Sequence, residues 1–286
     1  MTGAALALIL AAAAVHATWN LIAKRTHGGA VFLCLFSLVA AILYLPLAIA
    51  VVLWQRPQFG PVQLVMIAGT AVLHSAYFLL LQRGYRLGDL SLVYPIARGT
   101  GPILTTAAAL VFFGERPGPA ALAGTALIAG GIILLTMGPE ALRQRHARQA
   151  AAYALLTGVC IAGYSLWDKR AVTTFAIPPV VLDWGDNLGR AALLAPVALA
   201  RRAGVRDLWA RSRREILLVG LLSPMPYILV LTAMVFTPVS YVAPAREISI
   251  LVGALMGTRL LGEGDAPRRI VAAGAMVAGL AGLALG

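Results

Sequence analysis

The sequence predicts an all-α integral membrane protein with ten transmembrane helices arranged as two inverted five-helix repeats. Three observations carry that prediction. Apolar residues make up 60% of the 286 positions, charged ones only 12%, and mean hydropathy is +0.86, whereas a soluble globule carries roughly 25% charged residues. The apolar residues run in stretches of about 20, the length at which a helix crosses roughly 30 Å of hydrocarbon. Motifs of the first half recur in the second in the same order and at nearly the same offset.

The spans follow from the breaks between them. Span 1, 3–23, stops at Lys24-Arg25-Thr26-His27-Gly28-Gly29. Its Ala14-Val15-His16-Ala17 looks like a signal-peptide cleavage site, but no basic segment precedes it and the apolar run continues to Lys24, so the span is expected to be retained. Span 2, 30–54, ends at Arg56-Pro57, span 3, 61–82, at Gly84 to Gly88, and span 4, 89–113, at Gly114-Glu115-Arg116-Pro117. Span 5, 119–138, leads into a polar linker, 139–149. Spans 6 (150–168) and 7 (180–200) flank Lys169-Arg170 and Pro178-Pro179. A basic segment from Arg201 to Arg214 reads as an anchor at anionic headgroups and leads into span 8, 215–236. Thr237-Pro238 alone separates it from span 9, 239–261, and span 10 covers 267–286. The repeats would occupy 1–138 and 150–286.

The net charge of +12 would suggest nucleic acid in a soluble protein. Here the basic residues sit between apolar runs, so the partner they imply is the bilayer and not nucleic acid. Sixteen of the 23 lie in loops after odd-numbered spans, four after even-numbered ones and three inside spans. The positive-inside rule then puts the odd loops in the cytoplasm and both termini outside.

Ser91-Leu92-Val93-Tyr94-Pro95-Ile96-Ala97-Arg98 aligns with Ser240-Tyr241-Val242-Ala243-Pro244-Ala245-Arg246. The same offset pairs His74 to Phe78 with Ser223 to Tyr227, while Gly114-Glu115 recurs as Gly262-Glu263 and Lys24-Arg25 as Lys169-Arg170. Each copy has five spans, an odd number, so the second must enter the membrane from the other side. The charges agree: loop 2 has one basic residue and its counterpart, loop 7, has six. Inverted repeats with a site at their midplane interface are a recurring plan for secondary transporters.

On Trp19 with Lys24, Pro95, Pro244, the two Gly-Glu pairs and the glycine-rich last span of each half, the sequence resembles the drug/metabolite transporter superfamily, EamA type. Within it the chain resembles bacterial amino-acid exporters of the YddG kind. The resemblance implies a multi-pass protein of the bacterial inner membrane, and aromatic residues around a central cavity at Trp19, Tyr94 and Tyr164. It also implies cytoplasmic termini, where the charges here place them in the periplasm.

Ionisable residues within a bilayer cost roughly 2.5–3.5 kcal/mol on insertion scales and need a reason. Six stand out: Arg98, Asp183, Asp186, Arg190, Arg246 and Glu247. Asp186 and Arg190 are four apart on one helix and are expected to pair, whether structurally or for transport. Asp183 follows Pro178-Pro179 and reads as an acid near a helix N-terminus. Arg98 and Arg246 each follow a proline, and Arg98-Gly99-Thr100-Gly101-Pro102 predicts a distorted span 4. There the guanidinium groups would either bind a substrate carboxylate or hold Glu247. His16, Trp19 and Asn20 share one face of span 1, and His74, Tyr77 and Phe78 share one of span 3; Tyr164, Ser165 and Tyr227 add to them. Such a lining suits a zwitterion with an apolar body. Trp54, Trp167 and Trp209 read as interfacial belt residues, and Gly124, Ala126, Gly130 and Gly131 with Gly274, Gly279 and Gly282 as small-residue helix packing.

The sequence therefore points to a monomeric secondary transporter exporting an amino acid or similar small metabolite, with no cofactor and no metal. If protons are the coupling ion, Asp186, Glu247, His16 and His74 are the groups available. A drug or another metabolite is the alternative cargo. An enzyme is the rival class, through the single D-x-x-D of Asp183 to Asp186, the pattern that holds magnesium diphosphate in prenyl transfer, but no second acidic cluster follows. A passive channel is disfavoured by duplication and proline-bent helices.

Overall fold

The computed structural model describes residues 1–23, 26, 29–137, 146–261 and 266–286, without the side chains at 255, 257–261, 266, 267 and 269. Lys24, Arg25, His27, Gly262-Glu263 and linker positions 138–145 lie outside the described residues. Among the described residues all regular structure is helical, in twelve helices: α1 Gly3–Ala23, α2 Gly29–Gln55, α3 Pro61–Leu87, α4 Leu90–Phe112, α5 Pro119–Thr136, α6 Ala147–Thr173, α7 Pro179–Ala200, α8 Arg202–Leu222, α9 Pro224–Phe236, α10 Val239–Ala245, α11 Ile248–Leu261 and α12 Ala266–Leu285.

Spans 1 to 7 and 10 each correspond to one helix, with ends set by local chemistry. Pro61, Pro119 and Pro179 each occupy a first helical position, where the missing N–H costs nothing and the fixed φ already suits a helix. Spans 8 and 9 are each two helices. The basic segment forms the first part of α8, which bends at Ser212 (φ −129°, ψ 26°) before entering the apolar run. Ser223-Pro224 then starts α9. Span 9 breaks between α10 and α11 at Arg246-Glu247, just after Pro244.

Six rods are long and apolar enough to cross a membrane by length and composition: α1, α2, α3, α5, α6 and the α8–α9 run. Of the other four, α4, α7 and α10–α11 are the ones carrying Arg98, Asp183, Asp186, Arg190, Arg246 and Glu247, whose charges lower their mean hydropathy. Large apolar side chains cover the outside, among them Leu53, Val111, Phe112 and Ile270, as a lipid-facing surface requires.

The distortion predicted for span 4 lies instead in its repeat mate: α4 runs unbroken through Pro95 and Pro102. Packing on two sides holds it straight. A Cβ on Gly99 would touch Ile133 and Ala129 of α5, and one on Gly101 would lie 2.8 Å from Ile161 of α6.

The most extensive helix pairs join the two halves of the chain: α5 with α12, α3 and α4 with α6, α2 with α7, and α1 with α9. In the α5–α12 pair the backbones themselves touch. A Cβ on Gly124 would lie 2.5 Å from the Gly279 carbonyl oxygen, and one on Gly279 would lie 2.6 Å from that of Gly124. Of the expected small-residue set, Ala126 and Gly130 are exposed, and Gly130 and Gly274 approach nothing; they lie off the packed stripe.

Candidate functional site: a central cavity reaching the odd-numbered loops

A cavity of about 390 Å³ lies among α1, α2, α3, α7 and α9 and reaches α4, α6 and the α10–α11 break. Its lining follows α1 from Ala12 to Ala23 and continues to Thr26, Gly29 and Gln82 at the odd-loop end. The even-loop end is filled by the fully buried Ile9, Leu231, Met234, Val239 and Val242. Hydrogen bonds reinforce that end. Lys169, in the last turn of α6, donates to the carbonyls of Met234 (2.5 Å) and Thr237 (3.0 Å), which have no intrahelical partners where α9 stops. Glu115 accepts from the Val239 and Ser240 N–H groups, both at 2.9 Å, capping the start of α10. A carboxylate there also meets the positive end of the helix dipole.

Two charged clusters meet at the inner end of the cavity. In the first, Glu247 is fully buried, with Oε2 2.9 Å from Arg98 Nε and Oε1 3.4 Å from Arg246 Nε. These are ion-pair distances without aligned hydrogen bonds, so both Glu247 oxygens and both Nε groups lack a hydrogen-bond partner. Arg246 also donates to the Tyr164 hydroxyl (3.2 Å) and to Ser165 Oγ (3.1 Å), with its guanidinium 5.3 Å from the centre of the Tyr164 ring. The break between α10 and α11 is what places Arg246 and Glu247 side by side at this depth.

In the second cluster Asp186 Oδ2 lies 3.1 Å from Arg190 Nη2 and 3.0 Å from His74 Nδ1. The other imidazole nitrogen, Nε2, is 3.3 Å from Asp168 Oδ2. Asp168 is fully buried on α6 and accepts hydrogen bonds from Thr70 Oγ1 (2.6 Å) and the Tyr227 hydroxyl. Asp183 accepts from Asn187 Nδ2 at 3.0 Å, and Arg190 donates to Asn187 Oδ1 at 2.8 Å. Tyr164 touches both clusters, since the His74 ring stands edge-on to it at 4.3 Å.

Of the residues singled out from the sequence, Trp19, Asn20, His74, Tyr77, Arg98, Tyr164, Asp186, Tyr227 and Arg246 line the cavity, as do His16, Asp183 and Arg190. Three do not. Tyr94 packs against the central apolar core, Ser165 stands behind Arg246, and Glu247 is enclosed by the arginines. Asp168 escaped sequence reasoning because span 6 was ended at that residue and Lys169-Arg170 taken as loop; α6 continues to Thr173. Its signal was the four-residue spacing from Tyr164, which puts both on one helix face. Trp167 donates its indole N–H to the Met66 carbonyl at 2.8 Å. The D-x-x-D pair is committed to protein partners, Asp183 to Asn187 and Asp186 to Arg190 and His74, and no cluster of metal-ligating side chains occurs among the described residues.

Comparison with known proteins agrees with this architecture. A crystal structure of another protein superposes with a TM-score of 0.78 over 100% of this chain and 98% of its own, at 17% identity, a likeness of fold. No curated protein matches the chain. The EamA-like transporter family matches residues 3–137 and 148–285. With nearly every described residue inside those two segments, the chain belongs to the EamA-like transporter family, and it is a multi-pass membrane protein that handles a small molecule.

Proposed function

We propose that the protein is a secondary transporter that exports an amino acid, or a small metabolite of the same zwitterionic chemistry, across the bacterial inner membrane. The observation that carries this reading is the convergence of two clusters of opposite excess charge on one cavity. Arg98 and Arg246 share a single carboxylate, Glu247, so that wall has a surplus guanidinium for a substrate carboxylate. Asp183 and Asp186 line the other wall with one guanidinium, Arg190, and Asp168 stands behind His74, so that wall has room for an ammonium group. Trp19, Phe32, Phe36, Tyr77 and Phe78 supply aromatic surface for the body of the molecule. The cavity's volume lies at the lower end of the roughly 300–1,000 Å³ usual for ligand pockets, which suits a small metabolite.

Two five-helix repeats of opposite orientation explain how such a site is exposed to each side in turn. Support comes from the family match, which falls in two segments meeting between spans 5 and 6, and from the helix pairs. Exchanging the halves turns α5–α12 and α2–α7 into themselves, and α3–α6 into the contact of α1 with α8–α9. The excess of basic residues in odd loops favours their cytoplasmic placement. The cavity would then face the cytoplasm, the loading state of an exporter.

Uptake and release of radiolabelled amino acids by proteoliposomes, run beside an apolar cation such as ethidium, tests the proposal. Zwitterionic amino acids are expected to move, and Trp19→Ala to lower flux about tenfold, equivalent to roughly 1.4 kcal/mol of lost binding. Transport of ethidium with failure of every amino acid would overturn the substrate class. That is the second reading, favoured by the aromatic lining beside an acidic wall and opposed by Arg98 and Arg246.

A further inference from the structure

We propose that His74 holds an exchangeable proton between Asp168 and Asp186, and that an ammonium group entering the cavity displaces it. The proposal rests on the transporter reading and adds the coupling ion, the residue that carries it and the sign of the coupling.

The argument starts from donor counting. An ionised carboxylate only accepts hydrogen bonds, and a neutral imidazole has one N–H. Yet both ring nitrogens of His74 face carboxylate oxygens, Nδ1 that of Asp186 in a 3.0 Å hydrogen bond and Nε2 that of Asp168 at 3.3 Å, an ion-pair distance without an aligned hydrogen bond. A neutral ring would turn a lone pair toward one of two anions. The arrangement is complete only with one more proton, carried by the ring. That proton is within reach of water, because His74 and Asp186 both line the cavity.

The cationic and phenolic groups around the ring do not compete for this role. From α3 comes Tyr77, from α6 Tyr164 and Asp168, from α9 Tyr227, and from α7 Asp186 with Asp183 and Arg190 behind it; Arg246 lies beyond the Tyr164 ring. The arginines keep their protons throughout, and phenols do not ionise near neutral pH. Asp168 is fixed by Thr70 and Tyr227, and Asp183 by Asn187. Histidine is the side chain that changes charge in the physiological range.

Asp186 links the proton to the cargo. Its Oδ2 serves His74 and Arg190, while its buried Oδ1 has no hydrogen-bond partner. The carboxylates of this wall outnumber its one permanent positive charge, so a proton on His74 reduces the negative excess that would attract an ammonium group. Proton and ammonium therefore oppose each other, and by linkage each weakens the other's binding by the same factor. When cargo enters from the cytoplasm the proton leaves to cavity water, and no bond to the cargo forms. When the emptied site faces the other side it takes up a proton there. One cycle moves cargo out and a proton in.

Two measurements test this. In the first, a mixture of the twenty amino acids is added to detergent-solubilised protein in weakly buffered solution containing a pH dye, with binding heat recorded in parallel. Wild type is expected to release protons, and monodisperse His74→Gln to bind with no release. Undiminished release from His74→Gln, or binding heat without release from wild type, overturns the proposal. In the second, ¹⁵N-histidine spectra are recorded for a variant with His16, His27 and His146 replaced by Gln, leaving one imidazole. A ring that loses a proton as pH rises upholds the proton site even if no amino acid binds, in which case the substrate class alone falls. A ring singly protonated at every pH overturns the site whatever the transport result.

Discussion

Glu247 is the side chain with most to lose. Fully buried between two guanidinium groups, it neutralises charges that, among the described residues, have no other carboxylate within ion-pair distance. Removing one partner of a buried pair costs about 3–5 kcal/mol, because the survivor stays desolvated and unpaired. Glu247→Gln is therefore expected to lower the thermal unfolding midpoint in detergent sharply, whereas Glu247→Gln with Arg98→Met regains part of the loss. An equal or larger loss in the double variant would show that Arg98 is held by something else. The pairing of Asp186 with Arg190 was legible in the sequence because a helix alone fixes an i,i+4 neighbour. Asp168 was not, because its partners Thr70, His74 and Tyr227 come from two other helices, which only tertiary packing brings to it.

Helices divide here into those that pack by backbone contact and those that end at a charged cap. In the first group, Gly124 of α5 leaves no room for a side chain against Gly279, while Gly130, on the same helix, has open space around it. Gly124→Leu should push α5 from α12 and cost stability or expression, and Gly130→Ala should be neutral or slightly stabilising through helix propensity, by up to about 1 kcal/mol. A thermal shift assay on both separates the two. In the second group, Lys169 and Glu115 hold the even-loop ends of α9 and α10. Lys169→Met and Glu115→Gln are expected to loosen that end while leaving the rods intact. Element existence was readable from apolar length and punctuation for eight of the ten spans. The breaks inside spans 8 and 9 were not, although Pro224 and Pro244 mark both. Proline at comparable depth in α4 leaves that helix whole, so whether a proline breaks a helix depends on the neighbours that brace it.

At the scale of the molecule the cavity extends toward the odd-loop end. In a background with Cys34 and Cys160 replaced by Ala, a cysteine at Gln82 should react with a membrane-impermeant thiol reagent in inside-out vesicles and resist it in right-side-out ones. The reverse pattern would move the odd loops to the periplasm and turn the loading state into the release state. Adding Lys169→Met should weaken this one-sidedness as the even-loop end opens. The duplication was visible in the sequence through Tyr94-Pro95 and Ala243-Pro244, whereas the pairing of each helix with one from the other half was not. Motif matches show that segments are alike, not that they touch. That pairing also bears on how the chain is made. Since α1 to α5 find their main partners among α6 to α12, neither segment emerging from the ribosome has a finished interior of its own. A gene cut between the codons for 137 and 146 should yield two fragments that are degraded when made singly and co-purify when made together. Covalent continuity would then serve to keep the two pieces in equal supply, while the shape resides in their mutual fit.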